Sequence, residues 1–313
     1  MEKMKTALSH CEICPRGCGI NRTAGKTGWC HAPLLPKVAL VSGHLWEEPP
    51  ISGTKGSGTI FFSHCNLGCV FCQNHTISQE GFGQEVSILR LAEIFLEQQE
   101  RGFHNINLVS AVQFIPQVES ARAKGLRIPV VYNSNGYESL TGLRMLDGLV
   151  DIYLPDFKYW NDSLGIAYSH APHYRETAAA AILEMRRQVP QDAFDAEGLL
   201  QKGLLLRHLI LPGQYRDSMR ILDWVRASLG EETLVSLMSQ YTPLYRAKEI
   251  KALSRKLTTF EYEKVIDYFF EIGLKNGFMQ KRSSATGEYT PTFDLSGVAA
   301  AESFMKREEN HHD

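Results

Sequence analysis

Two patterns of apolar residues alternate along most of this chain. Short unbroken apolar runs occupy Gly58 to Ser63, Asn105 to Val109, Ile128 to Asn133, Val150 to Leu154, Leu204 to Leu211 and Leu234 to Met238. Runs of this length and composition read as buried strands. Between them lie stretches with helical spacing. Ile88 to Arg101 carries Leu91, Ile94 and Phe95 on one face, and Phe114 to Lys124 stops at Gly125 in a capping position. Ser139 to Leu146, Glu176 to Val189 (Ile182, Met185 and Val189 inward) and Met219 to Leu229 follow. A last helix presents Tyr262, Val265, Ile266 and Phe269 on one side. Strand then helix, repeated about six times, predicts a parallel sheet with right-handed crossovers. Residues Pro33 to Gly56, with Pro33, Pro36, Pro49 and Pro50, read as an irregular connection. Ser283 to Gly287 and Lys306 to Asp313 read as a flexible tail. The expected organisation is an N-terminal module over 1–45, a core over 46–280 and a tail over 281–313.

A parallel α/β sheet binds ligands at the carboxyl ends of its strands, whether it closes as a barrel or stays open. Polar residues should therefore collect just after each run, and they do. Cys65 follows the first, Ser110 and Gln113 the second, and Asn133-Ser134-Asn135-Gly136 the third. Asp156-Phe157-Lys158, Pro212-Gly213-Gln214 and Gln240-Tyr241 follow the rest. Arg207 lies inside a run that would bury it, so it needs an anionic partner. Asp156 and Lys158 sit past Pro155, where a turn would bring both to the mouth; a surface ion pair is the plain alternative.

Composition narrows the class. With 313 residues and a net charge of −2, the chain makes no case for nucleic acid or an anionic membrane surface. No stretch approaches the ~18 apolar residues of a membrane span. The opening Met1 to Thr6 lacks the apolar core of a signal peptide. Seven cysteines, all in the first quarter, read as metal ligands in a reducing cytoplasm rather than as a disulfide framework.

Those cysteines split into four and three. Cys65, Cys69 and Cys72 lie at C-x3-C-x2-C on one loop and can close over one face of a cubane iron–sulfur cluster. Three thiols leave one iron without a protein ligand, and an open position is where metal chemistry happens. A structural zinc site is the alternative, with His64 or His75 as fourth ligand. Cys11, Cys14, Cys18 and Cys30 make a closed set of four, suited to a second [4Fe–4S] cluster or to a structural zinc.

The three-cysteine loop, with Phe71 before the last cysteine, resembles that of radical S-adenosylmethionine (SAM) enzymes. Ser57-Gly58-Thr59-Ile60, Cys72-Gln73-Asn74, Asn135-Gly136-Tyr137, Asp156-x-Lys158 and Arg207-His208 with Leu211-Pro212-Gly213 carry the likeness further. They resemble the relatives of pyruvate formate-lyase activating enzyme, in particular the activating-enzyme-like (PflX-type) proteins. The resemblance implies a partial (β/α)6 barrel, a [4Fe–4S] cluster on Cys65, Cys69 and Cys72, and SAM chelated to the free iron. It implies an oxidoreductase that cleaves SAM to a 5′-deoxyadenosyl radical, an electron donor such as flavodoxin or ferredoxin, and a glycine of a partner glycyl-radical protein as target. Radical chemistry on a small molecule or another macromolecule is an alternative. So is a non-catalytic electron-transfer or zinc-stapled binding protein.

By that resemblance Phe71 and Asn74 lie along the adenosine, Ser134 and Asn135 meet ribose or carboxylate, and Asp156, Lys158 and Arg207 serve cofactor or substrate. Two departures stand out. Activating enzymes carry Gly-Gly-Glu where this chain has Ser110-Ala111-Val112-Gln113, so the SAM amino group is expected on Ser110 or Gln113. Their Asp-Thr-Asn-Gly becomes Asn133-Ser134-Asn135-Gly136, without the acid that serves a monovalent cation site.

Overall fold

The computed structural model describes residues 2–122, 124–280 and 291–300. A short helix, α1 (Glu2–Ser9), leads into the cysteine-rich module, and the sheet begins with β1 (Lys37–His44). After α2 (Pro49–Ser52) come β2 (Ser57–Phe62), α3 (His75–Ser78), β3 (Gln84–Glu85) and α4 (Ile88–Glu100). The alternation continues through β4 (Asn105–Val109), α5 (Ile115–Ser120), β5 (Val130–Ser134), α6 (Leu140–Met145) and β6 (Ile152–Pro155). Two helices, α7 (Asp162–Ser169) and α8 (Tyr174–Gln188), precede β7 (Ala193–Phe194) and β8 (Leu200–Leu209). The chain ends through α9 (Tyr215–Ser228), β9 (Leu234–Met238), α10 (Thr259–Glu271) and β10 (Gly277–Met279). No helix among the described residues is long and apolar enough to cross a membrane.

Sheet order is β10-β9-β8-β6-β5-β4-β2-β1-β3, with β7 on the flank of β8. From β2 to β10 every neighbouring pair is parallel, and β1 runs antiparallel to β2. The fold is α/β with a partial barrel. Its curvature shows in Glu47, whose carboxylate accepts from Asn107 on β4 at 2.8 Å and from Arg207 on β8 at 3.1 Å. In a flat sheet those strands would stand about 14 Å apart, three steps of the ladder. The pleat then divides each strand between two cores. Ile60, Phe62, Ile106, Leu108, Tyr132, Leu204 and Leu206 face outward against helices, with Leu91, Ile94 and Phe95 of α4 among their partners. Val131, Ile152, Leu154, Leu205 and Leu234 face inward, and Ile51 of α2 closes that inner cluster.

Several expectations change. Residues Pro33 to Gly56 are not an irregular connection: they hold β1 and α2, and β1 pairs along β2 from Val38↔Phe62 to His44↔Ser57. The apolar run Val38 to Val41 is short and hemmed by Pro36, so its strand character emerges only against β2. Residues 37–45 thus ride on the core sheet rather than with the cysteine module. The helix expected over Phe114 to Lys124 is confined to Ile115–Ser120. α7 has no counterpart in the periodicity reading, since its two serines and Gly165 blur the apolar face. Ser283 to Gly287 and Lys306 to Asp313 lie outside the described residues. Part of the expected tail is docked: Leu295 and Ser296 bond the backbone of Ala39 and Val41, and Phe293 meets Phe61 edge-on. That segment covers backbone groups which an edge strand would otherwise expose.

Candidate functional site

The cysteine loop leaves β2 at Ser63 and is held from several sides. His64 N donates to Ile77 O, Gly68 N to Ser169 O and Val70 N to Tyr168 O, so α3 and the end of α7 bracket it. Asn66 Nδ2 donates to Tyr137 O at 2.6 Å. A Cβ on Gly68 would stand 2.9 Å from the His170 ring, so only glycine lets the loop pass. All three cysteines line the same cavity, of about 430 Å³. Each lies within hydrogen-bond reach of a neighbour. Cys65 Sγ accepts from Leu67 N and Asn135 Nδ2, both at 3.4 Å; Cys69 Sγ lies 2.8 Å from Ser169 Oγ, and Cys72 Sγ 3.3 Å from Ser78 Oγ. The Asn74 amide also points at Cys72.

Burial pushes the Cys65 thiol up to about 12, with Cys69 adding to the rise. Burial likewise raises Cys69 to about 11, against the pull of Lys158. Bare, these thiols stay protonated; as thiolates they need a cation, which a metal centre supplies. Among the described residues no group of three or more His, Cys, Asp or Glu side chains is gathered to hold a metal ion. A single tetrahedral ion would hold its sulfurs about 3.8 Å apart, from Zn–S bonds of ~2.3 Å. Neither His64 nor His75 lines the cavity, and the His75 ring is stacked on Tyr245 at 4.6 Å. The zinc alternative for this loop therefore lacks its expected fourth ligand.

A cluster of charged residues lines the same cavity. Lys158 Nζ lies 2.5 Å from Asp156 Oδ2, and Arg207 Nε 3.1 Å from Asp156 Oδ1. Arg207 also reaches Glu47 Oε2 at 3.1 Å and donates to Asn133 Oδ1 at 2.5 Å. The partner demanded by its burial is thus a pair of carboxylates. Asp156 and Lys158 share a face because they are two residues apart, with Phe157 turned into the outer core. No special turn is needed to present both. Burial alone would raise the Asp156 carboxyl, but Lys158 and Arg207 outweigh it and hold the acid below its ordinary range.

Phe71, Asn74, Ser110, Ser134 and Asn135 also line the cavity. Phe71 packs edge-on to Tyr241 at 6.0 Å. Ser110 adopts φ +59°, a left-handed backbone unusual for serine. Asn135 makes a turn, its side-chain oxygen accepting from Tyr137 N, and still offers its amide to Cys65. Gln113 does not line this cavity. Its amide donates to the carbonyls of Ser63, His64 and Ser110, so it braces the cysteine loop from beneath. Sequence reasoning missed Glu47, whose only local signal is an acidic pair before Pro49. It also missed Glu138, a buried carboxyl that accepts from Ser134 Oγ at 2.6 Å and Tyr132 OH at 3.1 Å. Burial raises Glu138 to about 7.

Cys11, Cys14, Cys18 and Cys30 surround a second void, of only about 10 Å³. Backbone amides of Arg16 and Ala32 point at Cys14 and Cys30, and burial raises Cys14 to about 12. A Cβ on Gly28 would stand 2.8 Å from Cys18 Sγ. All seven cysteines are free. Two arginines tie this module to the three-cysteine loop. Arg16 donates to Asn66 O at 2.8 Å and lies over the rings of Trp29 (4.1 Å) and Tyr137 (5.4 Å). Arg22, fully buried, donates to Gln113 O at 2.7 Å.

No protein-family model matches the chain. Among solved structures it is similar to SuiB of Streptococcus suis bound to the precursor peptide SuiA, with TM-score 0.49 and 11% identity over 70% of this chain and 47% of that one. It is similar also to methylornithine synthase (PylB), with TM-score 0.44 and 14% identity over 68% of this chain and 61% of that one. The chain thus spans about half the length of SuiB. It is 30% identical over 281 residues to the uncharacterized protein MJ0674 of Methanocaldococcus jannaschii, covering 85% of this chain and 76% of the relative. At that identity over most of both sequences, this chain belongs to the family of MJ0674.

Proposed function

We propose that the protein is a radical SAM enzyme of the activating-enzyme-like (PflX-type) branch, working in the cytoplasm. The observation that carries this reading is that Cys65, Cys69 and Cys72 of the C-x3-C-x2-C loop line one roomy cavity together with Asp156, Lys158 and Arg207. Cys65, Cys69 and Cys72 would hold a [4Fe–4S] cluster, and the cavity between them and Asp156, Lys158 and Arg207 would take SAM. When bound, that pair supplies one-electron cleavage of the sulfonium to a 5′-deoxyadenosyl radical able to abstract hydrogen from carbon.

This chain's own residues do the rest. The amides of Leu67 and Asn135 direct N–H groups at the Cys65 sulfur, which favours its thiolate form. Lys158 and Arg207 offer two cations against Asp156 and Glu47, so the wall can meet a zwitterionic amino acid group without a net change of charge. The inner apolar cluster under Ile51 closes the floor against water. The target in this reading is a glycine of a partner glycyl-radical protein, with flavodoxin or ferredoxin as electron donor. The four N-terminal cysteines would hold a second metal. Their void is far smaller than the first cavity, which favours a single zinc over a cubane, the thiols closing on it by side-chain rotation.

The test is anaerobic reconstitution with iron and sulfide, then dithionite and SAM, with 5′-deoxyadenosine measured by chromatography. Product is expected from the native chain and none from Cys69→Ala. Equal product from both would remove the reading.

A further inference from the structure

Outside the barrel, where α7 and α9 begin, lies an open cavity of about 560 Å³ that shares no residue with the cysteine site. Arg175, Arg216 and Arg220 line it together with Trp160, Asp162 and Asp217. We infer that this cavity binds a small ligand carrying two or more negative charges, of the phosphate-ester or pyrophosphate class.

The acids in the cavity are already engaged. Asp217 accepts from Trp160 N at 2.8 Å and Asn161 N at 2.9 Å, and Asp162 accepts from Arg175 N at 3.0 Å. The guanidiniums are less so: among the described residues none of the three takes part in an ion pair, although the charge of Arg220 acts on Asp217. Two of them are braced on aromatic faces rather than left to sweep solvent. Arg175 lies over the Trp160 ring at 5.2 Å, and Arg216 over Tyr215 at 5.3 Å. Braced guanidiniums lose less freedom on binding, and their planar forks match phosphate oxygens two at a time. The 14-residue helix α9 starts at this cavity with no side-chain cap, which adds the positive end of its dipole.

Shape and charge together set the ligand class. Three guanidiniums against Asp162 and Asp217 leave a net charge of +1, which draws anions, and the planar forks favour a ligand with several oxygens to match. The cavity is concave and falls within the ~300–1,000 Å³ of small-molecule sites. Because the arginines are exposed, binding should weaken steeply with salt.

The test is calorimetric titration of the full chain with inorganic pyrophosphate, at low and at high salt. Saturable one-site binding is expected at low salt, weakened at high salt. Arg216→Ser with Arg220→Ser should weaken it roughly tenfold or more through two lost charge-assisted pairs, with the circular dichroism spectrum unchanged. The double lysine variant should fall in between, since it keeps charge and loses the fork, and Lys248→Ser, outside the cavity, should bind as the native chain does. No saturable binding, or equal binding by the double serine variant, would overturn the inference. So would binding of polyglutamate but not of pyrophosphate, which would mark the face as a docking patch for acidic proteins.

Discussion

The two cysteine sets use the same ligand atoms in opposite surroundings. Around Cys11, Cys14, Cys18 and Cys30 the chain folds back until about 10 Å³ is left, lined also by Arg16, Arg22, Ile13 and Ile20, with no acid among the lining residues. Around Cys65, Cys69 and Cys72 some 430 Å³ stays open, with Asp156, Lys158 and Arg207 across it. In the proposed reading, four thiols with little space hold a structural metal, whereas three thiols beside an ample cavity leave a coordination position to be used. Thiol count and adjoining volume are what that reading uses to tell a structural role from a chemical one where residue type alone does not. The two regions are also joined, because Arg16 and Arg22 of the closed module reach both flanks of the open loop.

The comparison can be broken most sharply by pairing Cys69→Ala with Cys14→Ala. The first should abolish 5′-deoxyadenosine formation with little change in thermal midpoint; the second should lower the midpoint and bound zinc yet leave measurable product. Identical behaviour of the two variants would erase the distinction. Next in size is Arg207→Met, which leaves buried Asp156 with Lys158 alone and Glu47 with only the amides of Asn107 and Asn133. Removing one partner of a buried ionic network costs about 3–5 kcal/mol, to be read from denaturant unfolding.

Glu138 sharpens the electrostatic side. Its carboxyl is raised on folding from 4.5 to about 7, so the fold binds that proton more tightly than the unfolded chain does. Its stabilisation is then complete below pH ~4.5 and is lost as pH rises through about 7, up to about 3 kcal/mol in all. Glu138→Gln should flatten that part of the pH–stability profile; an unchanged profile would count against the assignment. Smallest is Arg16→Ala, which removes a charged hydrogen bond and two ring contacts worth about 2 kcal/mol together. Alkylation of apo protein, followed by mass spectrometry, should show Cys65 reacting faster relative to Cys72. No change in that ratio would mean that the module does not steady the loop.

Much of the site was legible before any coordinates. Cys65, Ser110, Asn135, Asp156 and Lys158 stand at strand ends, and in a parallel sheet strand ends share one rim. Gln113 shows where the rule stops. It follows the same strand as Ser110, but a single 3-10 turn over Val112–Phe114 carries its amide under the loop. Glu47 shows the converse. It precedes the first parallel strand by ten residues, on the opposite end of the sheet, and enters the site because the lumen runs through the barrel.

What this sequence determined by itself is whatever depends on neighbours along the chain. The cysteine spacing, the strand–helix alternation and the polar residues closing each apolar run are of that kind, since a few bonds fix how far apart such groups can stand. The tertiary structure alone decided which distant charges meet, as when Arg207 finds Glu47 160 positions away. It also decided how much room each thiol cluster keeps and which stretch seals the β1 edge. Those outcomes depend on sheet curvature and on the register between strands, which are properties of the whole packed chain and are written in no single segment.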